Sequence, residues 1–370
     1  FDYSTQDTEY SREFIEWRRR KRNPFSYRFE KNLKESVYID GSGFVISSPA
    51  AAEKDVLLRI FYVIGMAALM WMVVDNVLEK LAVVLLSRLG FDIHTSFFSQ
   101  SIYGGGTEIV CVLISTALLK LLIPTVYLHF RFKLPKRVEF MSSMHDSRGL
   151  VGAIGMTLIV CTLTSLPTAY SNETKELYTF FKSLNTDVSV WNQTEFVAYA
   201  VFDTVISAIL SEMFFRGAMF AVLRQFGDRF AIVMTTLTAV LLSQDIKSLP
   251  STLLMSLIAA AGMLISGSVF TALAANVVFR VYRLAIAVIE VDPSSEMFLT
   301  RNIFMVLMLS IGAVMLIFSW LLTKKRRRKI FAEAYTALTV RERIVYCVKV
   351  FPYSAVTALC VVLTMIELVI

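Results

Sequence analysis

The sequence has three histidines in 370 residues, four cysteines with no CxxC spacing, and only 18% charged residues. Each scarcity excludes something. With so little imidazole and no paired thiols, a zinc or redox centre built from His and Cys has almost no material. His94 and His145 fall in polar connections and His129 ends an apolar run, so all three are expected to be solvated or interfacial. Cys111, Cys161, Cys347 and Cys360 lie in or beside apolar segments and read as reduced packing residues. There is no Gly-rich phosphate loop, no heptad array and no polar stretch long enough for a soluble domain. The first fifty residues are charged and hold no apolar h-region, so no cleavable secretory signal is expected within them.

What the chain does have is apolar length. It is 56% hydrophobic, with a mean hydropathy of +0.60, so most of it belongs in lipid. A helix needs about 20 apolar residues to cross a hydrocarbon core. Runs such as "VLLRIFYVIGMAALMWMVV" (56–74), "EIVCVLISTALLKLLIPTVYL" (108–128) and "LVGAIGMTLIVCTLTSLPTAY" (150–170) meet that length. Later runs begin near Glu195, at 230–244, in the pair "STLLMSLIAAAGMLISG" and "SVFTALAANVVFRVYRLAIAVI", at 303–322, and at the C-terminus. The expected fold is all-α, a polytopic transmembrane bundle of about 8–9 spans. The expected organisation is a basic cytoplasmic segment at 1–54, the bundle at 55–323, a second basic cytoplasmic segment at 324–345, and a C-terminal apolar helix at 346–370.

Lys and Arg sort by connection. They crowd the N-terminal segment, "RFKLPKR", "RQFGDR" and "KKRRRK", while 89–107 and 171–194 hold few. The positive-inside bias then puts the N-terminus in the cytoplasm, and a plasma-membrane location is expected. Asn172 and Asn192 head Asn-x-Thr triplets in an external connection and become glycan sites only in a eukaryotic secretory route. The net charge of +7 falls beside apolar segments, so it favours anionic lipid headgroups and no nucleic acid. Arg18, Arg19, Arg20, Lys21 and Arg22 are the expected docking run for lipid or partner. The surrounding stretch "EWRRRKRNPFSYRFEKNLKES" lacks a long amphipathic pattern and is expected to be a solvated tail.

The chemistry must lie inside the bundle, and "SEMFFRGAMF" (211–220) is where it is most visible. An ionised group at membrane depth is costly and marks a functional site unless a partner is found. Glu212 and Arg216 are four residues apart on one helical face, so a structural ion pair is expected.

The same stretch resembles the Glu-Glu-x-x-x-Arg-Gly helix motif of the CPBP family, the CAAX-processing and bacteriocin-protection (Abi) intramembrane proteases. The segment "AVLLSQDIKSLPSTLLMSLIAAAGMLISGSVFTALAANVVF" follows the family's further layout, and the likeness covers about 195–285. The resemblance implies that Glu212 and Arg216 match the family's second acid and arginine. It also implies that the acid tied to catalysis falls on Ser211. The fifth-helix histidine falls on Gln244, with Val240 at the Phe position, and the seventh-helix histidine falls on Asn276. Ser, Gln and Asn cannot act as general bases near neutral pH, and amides are poor zinc ligands. No metal and no cofactor is therefore expected.

The function expected is a catalytically inactive scaffold or regulator that binds and positions another membrane or membrane-anchored protein. One alternative is an endopeptidase with an atypical set, Glu212 with Asp203 or Asp245. Asp203 stands nine residues before Glu212, half a turn out of phase on an α-helix, and Asp245 points about 100° away from Gln244. The other alternative is a transporter or lipid-handling protein with Lys120, Asp203, Glu212 and Asp245 along one path.

Overall fold

The computed structural model of the chain describes residues 8–20, 23–27, 35–39, 43–95, 102–141, 144, 146–165, 193–244, 248–291, 297–321, 331, 334 and 336–369. Over these residues the protein is an all-α bundle with two small antiparallel hairpins. Helix α1 (Thr8–Arg19) precedes the hairpin of β1 (Glu35–Ile39) and β2 (Gly43–Ser47). The long helix α2 (Pro49–Arg88) follows. Ser48 caps it by accepting from the Ala51 N–H at 3.2 Å, and Pro49 fills a first-turn position that needs no donor. A hairpin of β3 (Ile93–Thr95) and β4 (Ile102–Gly104) leads into α3 (Gly106–Phe132) and the short α4 (Lys136–Glu139). Then come α5 (Ser147–Thr164), α6 (Gln193–Phe226), α7 (Asp228–Ser243), α8 (Leu249–Ser266) and α9 (Val269–Val291). The chain closes with α10 (Met297–Leu321), α11 (Val340–Val348) and α12 (Phe351–Val369).

Seven of these helices are long and apolar enough to cross a membrane, or eight if the bent pair of α11 and α12 counts as one span. The protein is an integral membrane protein. Among the described residues the fifth apolar run is not counted as a span, because it forms α7, whose 16 residues reach only about 24 Å against a core of about 30 Å. The last apolar run forms the continuous helix α12 and is preceded by a sharp bend. The chain turns by 80° between α11 and α12.

Without a hydrophobic force between helices in lipid, close approach depends on small residues. α5 is built that way and packs against α8, α9 and α10. A Cβ placed on Gly155 would sit 2.9 Å from the Gly312 carbonyl oxygen of α10, and one on Gly149 would sit 2.7 Å from the Ser266 nitrogen at the end of α8. α2 and α12 cross at Gly65, where a Cβ would meet the Tyr353 nitrogen at 2.5 Å.

The N-terminal segment differs from the solvated tail expected of it. Tyr10, Phe14 and Trp17 recur at helical spacing along α1 and are buried in the main apolar cluster, as are Phe25 and Tyr27. The Trp17 indole N–H donates to the Phe132 carbonyl at 3.0 Å, and Gln225 donates to the Phe25 carbonyl while accepting from the Tyr27 N–H. The aromatic stripe, and not the basic run beside it, decides where this segment lies.

Candidate functional site

A connected polar tract runs through α6, α7, α8 and α9. α6 carries it on two π-helical turns, 202–207 and 213–219, which flank Ser211 and Glu212. Such turns occur often at functional sites and change which residues share a face. Asp203 and Glu212 are therefore not opposed as α-helical phase predicts. Asp203 meets Arg280 of α9 at 2.5 Å, and Glu212 meets Asn276, one turn earlier on α9.

Asn276 joins the two halves. Its amide donates to Ser211 Oγ at 3.1 Å and to Glu212 Oε1 at 2.8 Å, while its carbonyl accepts from Arg280 Nε at 3.1 Å. Glu212 and Arg216 are both buried and lie 3.4 Å apart, a loose contact in which Glu212 Oε2 and Arg216 Nε have no hydrogen-bond partner. The shorter bonds of Arg216 go to α8, at 2.8 Å to the Ser256 carbonyl and 2.9 Å to Ser256 Oγ. Ser256 in turn donates to Thr236 of α7 at 3.2 Å. One arginine on α6 thus ties α7 and α8 to the site.

Gln244 stands apart from the Ser211–Asn276 contact. It ends α7 in the left-handed region (φ 52°), and its Oε1 accepts from Asn76 of α2 at 3.1 Å. Its amide nitrogen is buried without a hydrogen-bond partner, as is Trp71 Nε1. Trp71 packs on Phe214 and Phe215 of α6. On its other side Lys120 of α3 lies over the indole and meets Asp75 at 2.7 Å. Glu79 accepts from Thr116 beside them at 3.3 Å. The irregularity of α2 at 74–78, a third π turn, is what presents Asp75 and Asn76 here.

Other expected residues fall elsewhere. His94 sits exposed on the β3–β4 hairpin beside Ser87 and Asp92. His129 meets the buried Glu139 at 2.6 Å, and burial pushes the Glu139 carboxyl above its ordinary value against the opposing hydrogen bond from His129. Asp245, His145, Asn172, Asn192, Lys21 and Arg22 lie outside the described residues. Arg18 is half-buried, and its guanidinium donates to the Tyr27 carbonyl. Arg19 and Arg20 remain exposed. The four cysteines are free thiols, with Cys161, Cys347 and Cys360 buried.

Sequence reasoning missed Arg280 and a second buried ion pair. Arg224 and Asp228, taken for part of a cytoplasmic connection, are fully buried and meet at 2.6 Å. The available signal for Arg280 was its place inside the apolar run "VVFRVY", where an arginine needs an acid at membrane depth.

Residues 193–282, which span α6, α7, α8 and most of α9, match the family model described as type II CAAX prenyl endopeptidase Rce1-like. The protein carries a CAAX-protease-like core over about a quarter of its length. No curated protein and no solved structure matches it.

Proposed function

We propose that this is a catalytically silent CAAX-protease-like membrane protein that binds and positions another membrane or membrane-anchored protein. The observation that carries the proposal is the occupancy of the three positions where the family likeness expects acid and imidazole. Ser211 and Asn276 bond to each other and Gln244 bonds to Asn76, and none of these side chains can take up a proton near neutral pH. Among the described residues no three His, Cys, Asp or Glu side chains are grouped to hold a metal ion. The residues present therefore do not fit a metal-activated water, and no hydrolytic step is assigned to them.

The unpaired polar atoms support a binding role. Gln244 Nε2 and Trp71 Nε1 are buried donors without a hydrogen-bond partner. A peptide segment entering the bundle supplies carbonyl acceptors for them. A transport path has less support, because the charges it needs are held in separate pairs: Lys120 with Asp75, Asp203 with Arg280, and Glu212 with Arg216.

The test is co-purification in mild detergent from cells making the wild-type chain or the variant S211A/Q244A/N276A, with a parallel search for shortened membrane proteins. The variant is expected to lose bound membrane proteins several-fold and to leave the pattern of fragments unchanged. A fragment present with the wild type and missing with the variant would move the assignment to an atypical protease.

A further inference from the structure

We infer that the end of α1 and the end of α3 together form a binding site for the headgroup of an anionic phospholipid. The two basic stretches are far apart in sequence and are brought together by the backbone. Trp17 donates to the Phe132 carbonyl at 3.0 Å and Arg20 donates to the Lys133 carbonyl at 3.2 Å. Phe25 meets the Phe132 ring edge-on, which fixes the same junction from the apolar side. Lys133 ends α3 in the left-handed region (φ 49°), and the chain turns there into α4.

The two joined stretches carry five exposed cations: Arg19, Arg20, Arg131, Lys133 and Lys136. None forms an ion pair with another described residue. Three acids of α1 and α4 have partners of their own, Glu9 with Arg137, Glu16 with Arg12, and Glu139 with His129. An excess of fixed positive charge at this spot calls for an anion.

The depth of this junction identifies the anion as a lipid. Leu118, Leu122, Val126 and Phe130 follow one another at intervals of four along the exposed face of α3, and Phe130 is 68% exposed. That stripe faces acyl chains, and it stops one residue before Arg131. A lipid lying along it places its phosphate among the five cations, where the arginines can hold phosphate oxygens in pairs. The site lies outside residues 193–282 and does not depend on the function proposed for the polar tract.

The experiment is lipid retention by native mass spectrometry after release from nanodiscs made of equal parts phosphatidylglycerol and phosphatidylcholine. Wild type is compared with R20Q/K133Q/K136Q and with R341Q/K349Q, which removes two exposed cations from α11 and the residue following it. Retained phosphatidylglycerol is expected to fall by about tenfold in the first variant and to stay unchanged in the second, because each cation near an anionic surface adds to the attraction. Equal loss in both variants, no loss in the first, or wild-type retention of phosphatidylcholine as strong as that of phosphatidylglycerol would overturn the inference. If the first variant fails to fold, wild type alone decides. Raising salt from about 0.05 M to about 0.5 M must strip phosphatidylglycerol selectively, and indifference to salt overturns the inference equally.

Discussion

Two buried Arg–carboxylate pairs, each spaced by four residues, lie in the middle of α6 and at its junction with α7, and they are built to opposite standards. At the junction, Arg224 and Asp228 meet at 2.6 Å with a second contact at 3.4 Å, and Tyr10 of α1 adds its hydroxyl at 3.2 Å. In the middle of α6, Glu212 and Arg216 approach only to 3.4 Å, and an oxygen of one and a nitrogen of the other lack hydrogen-bond partners. Burying a charge is tolerable when its lone pairs and protons are all engaged, and a half-engaged network is worse than an apolar one. The first pair therefore behaves as a fastening between the bundle and its N-terminal cap. The second is a looser contact, and its arginine is held chiefly by Ser256 of α8. The same side chains thus do different work according to how completely their neighbours satisfy them.

Removing the fastening is the harshest way to test this contrast. R224A takes the 2.6 Å contact from the fully buried Asp228 carboxylate and a hydrogen bond from Tyr10, so a loss of about 3–5 kcal/mol is expected. The measurement is the yield of monodisperse protein and its thermal unfolding in detergent. A variant as stable as wild type would mean that water reaches Asp228 and that the two pairs are not different in kind.

The middle pair should answer less strongly and asymmetrically. R216A loses the bonds to Ser256 and leaves Glu212 charged, with an expected cost of about 2–3 kcal/mol. E212Q keeps a side-chain oxygen to accept from Asn276 and removes the charge that Arg216 meets only loosely, so it should stay within about 1 kcal/mol of wild type. Thermal unfolding of both variants in one detergent checks this. Equal effects would mean that the ion contact itself, and not the tie to α8, holds α6 in place.

How far the sequence foretold this arrangement depends on whether the signal was local. Apolar runs near 20 residues announced the spans, and the spacing of Glu212 and Arg216 announced their adjacency, because both follow from helix geometry alone. The aromatic stripe Tyr10, Phe14, Trp17 was equally local, but the basic run at 18–22 masked it by setting the composition of its surroundings. The Asp203–Arg280 contact joins residues 77 positions apart and had no local trace beyond the need of each buried charge for a partner. The π turns left no pattern in the sequence, and they are the reason Asp203 and Glu212 both reach α9. Gln244 was correctly located as the end of α7. Its left-handed cap, which accompanies its contact with Asn76 instead of Ser211, is a tertiary outcome.

Asn276 gives the smallest expected effect and the finest test of the contrast. Its amide is the single described bridge between the Asp203–Arg280 pair and the Glu212–Arg216 pair. In a membrane interior such hydrogen bonds contribute about 1 kcal/mol or less each, so N276A alone should lower stability by about 1 kcal/mol. Its informative consequence is in coupling. With Asn276 present, R280Q and E212Q act on one connected network and their effects should depart from additivity by about 0.5 kcal/mol or more. With N276A in the background the two pairs no longer share a partner, and the same substitutions should add. A double-mutant cycle by thermal unfolding, run with and without N276A, reads both quantities. Coupling that survives the loss of Asn276 would mean that the pairs communicate through the backbone of α6 or α9, and the middle of α6 would then be rigid in the way its end already is.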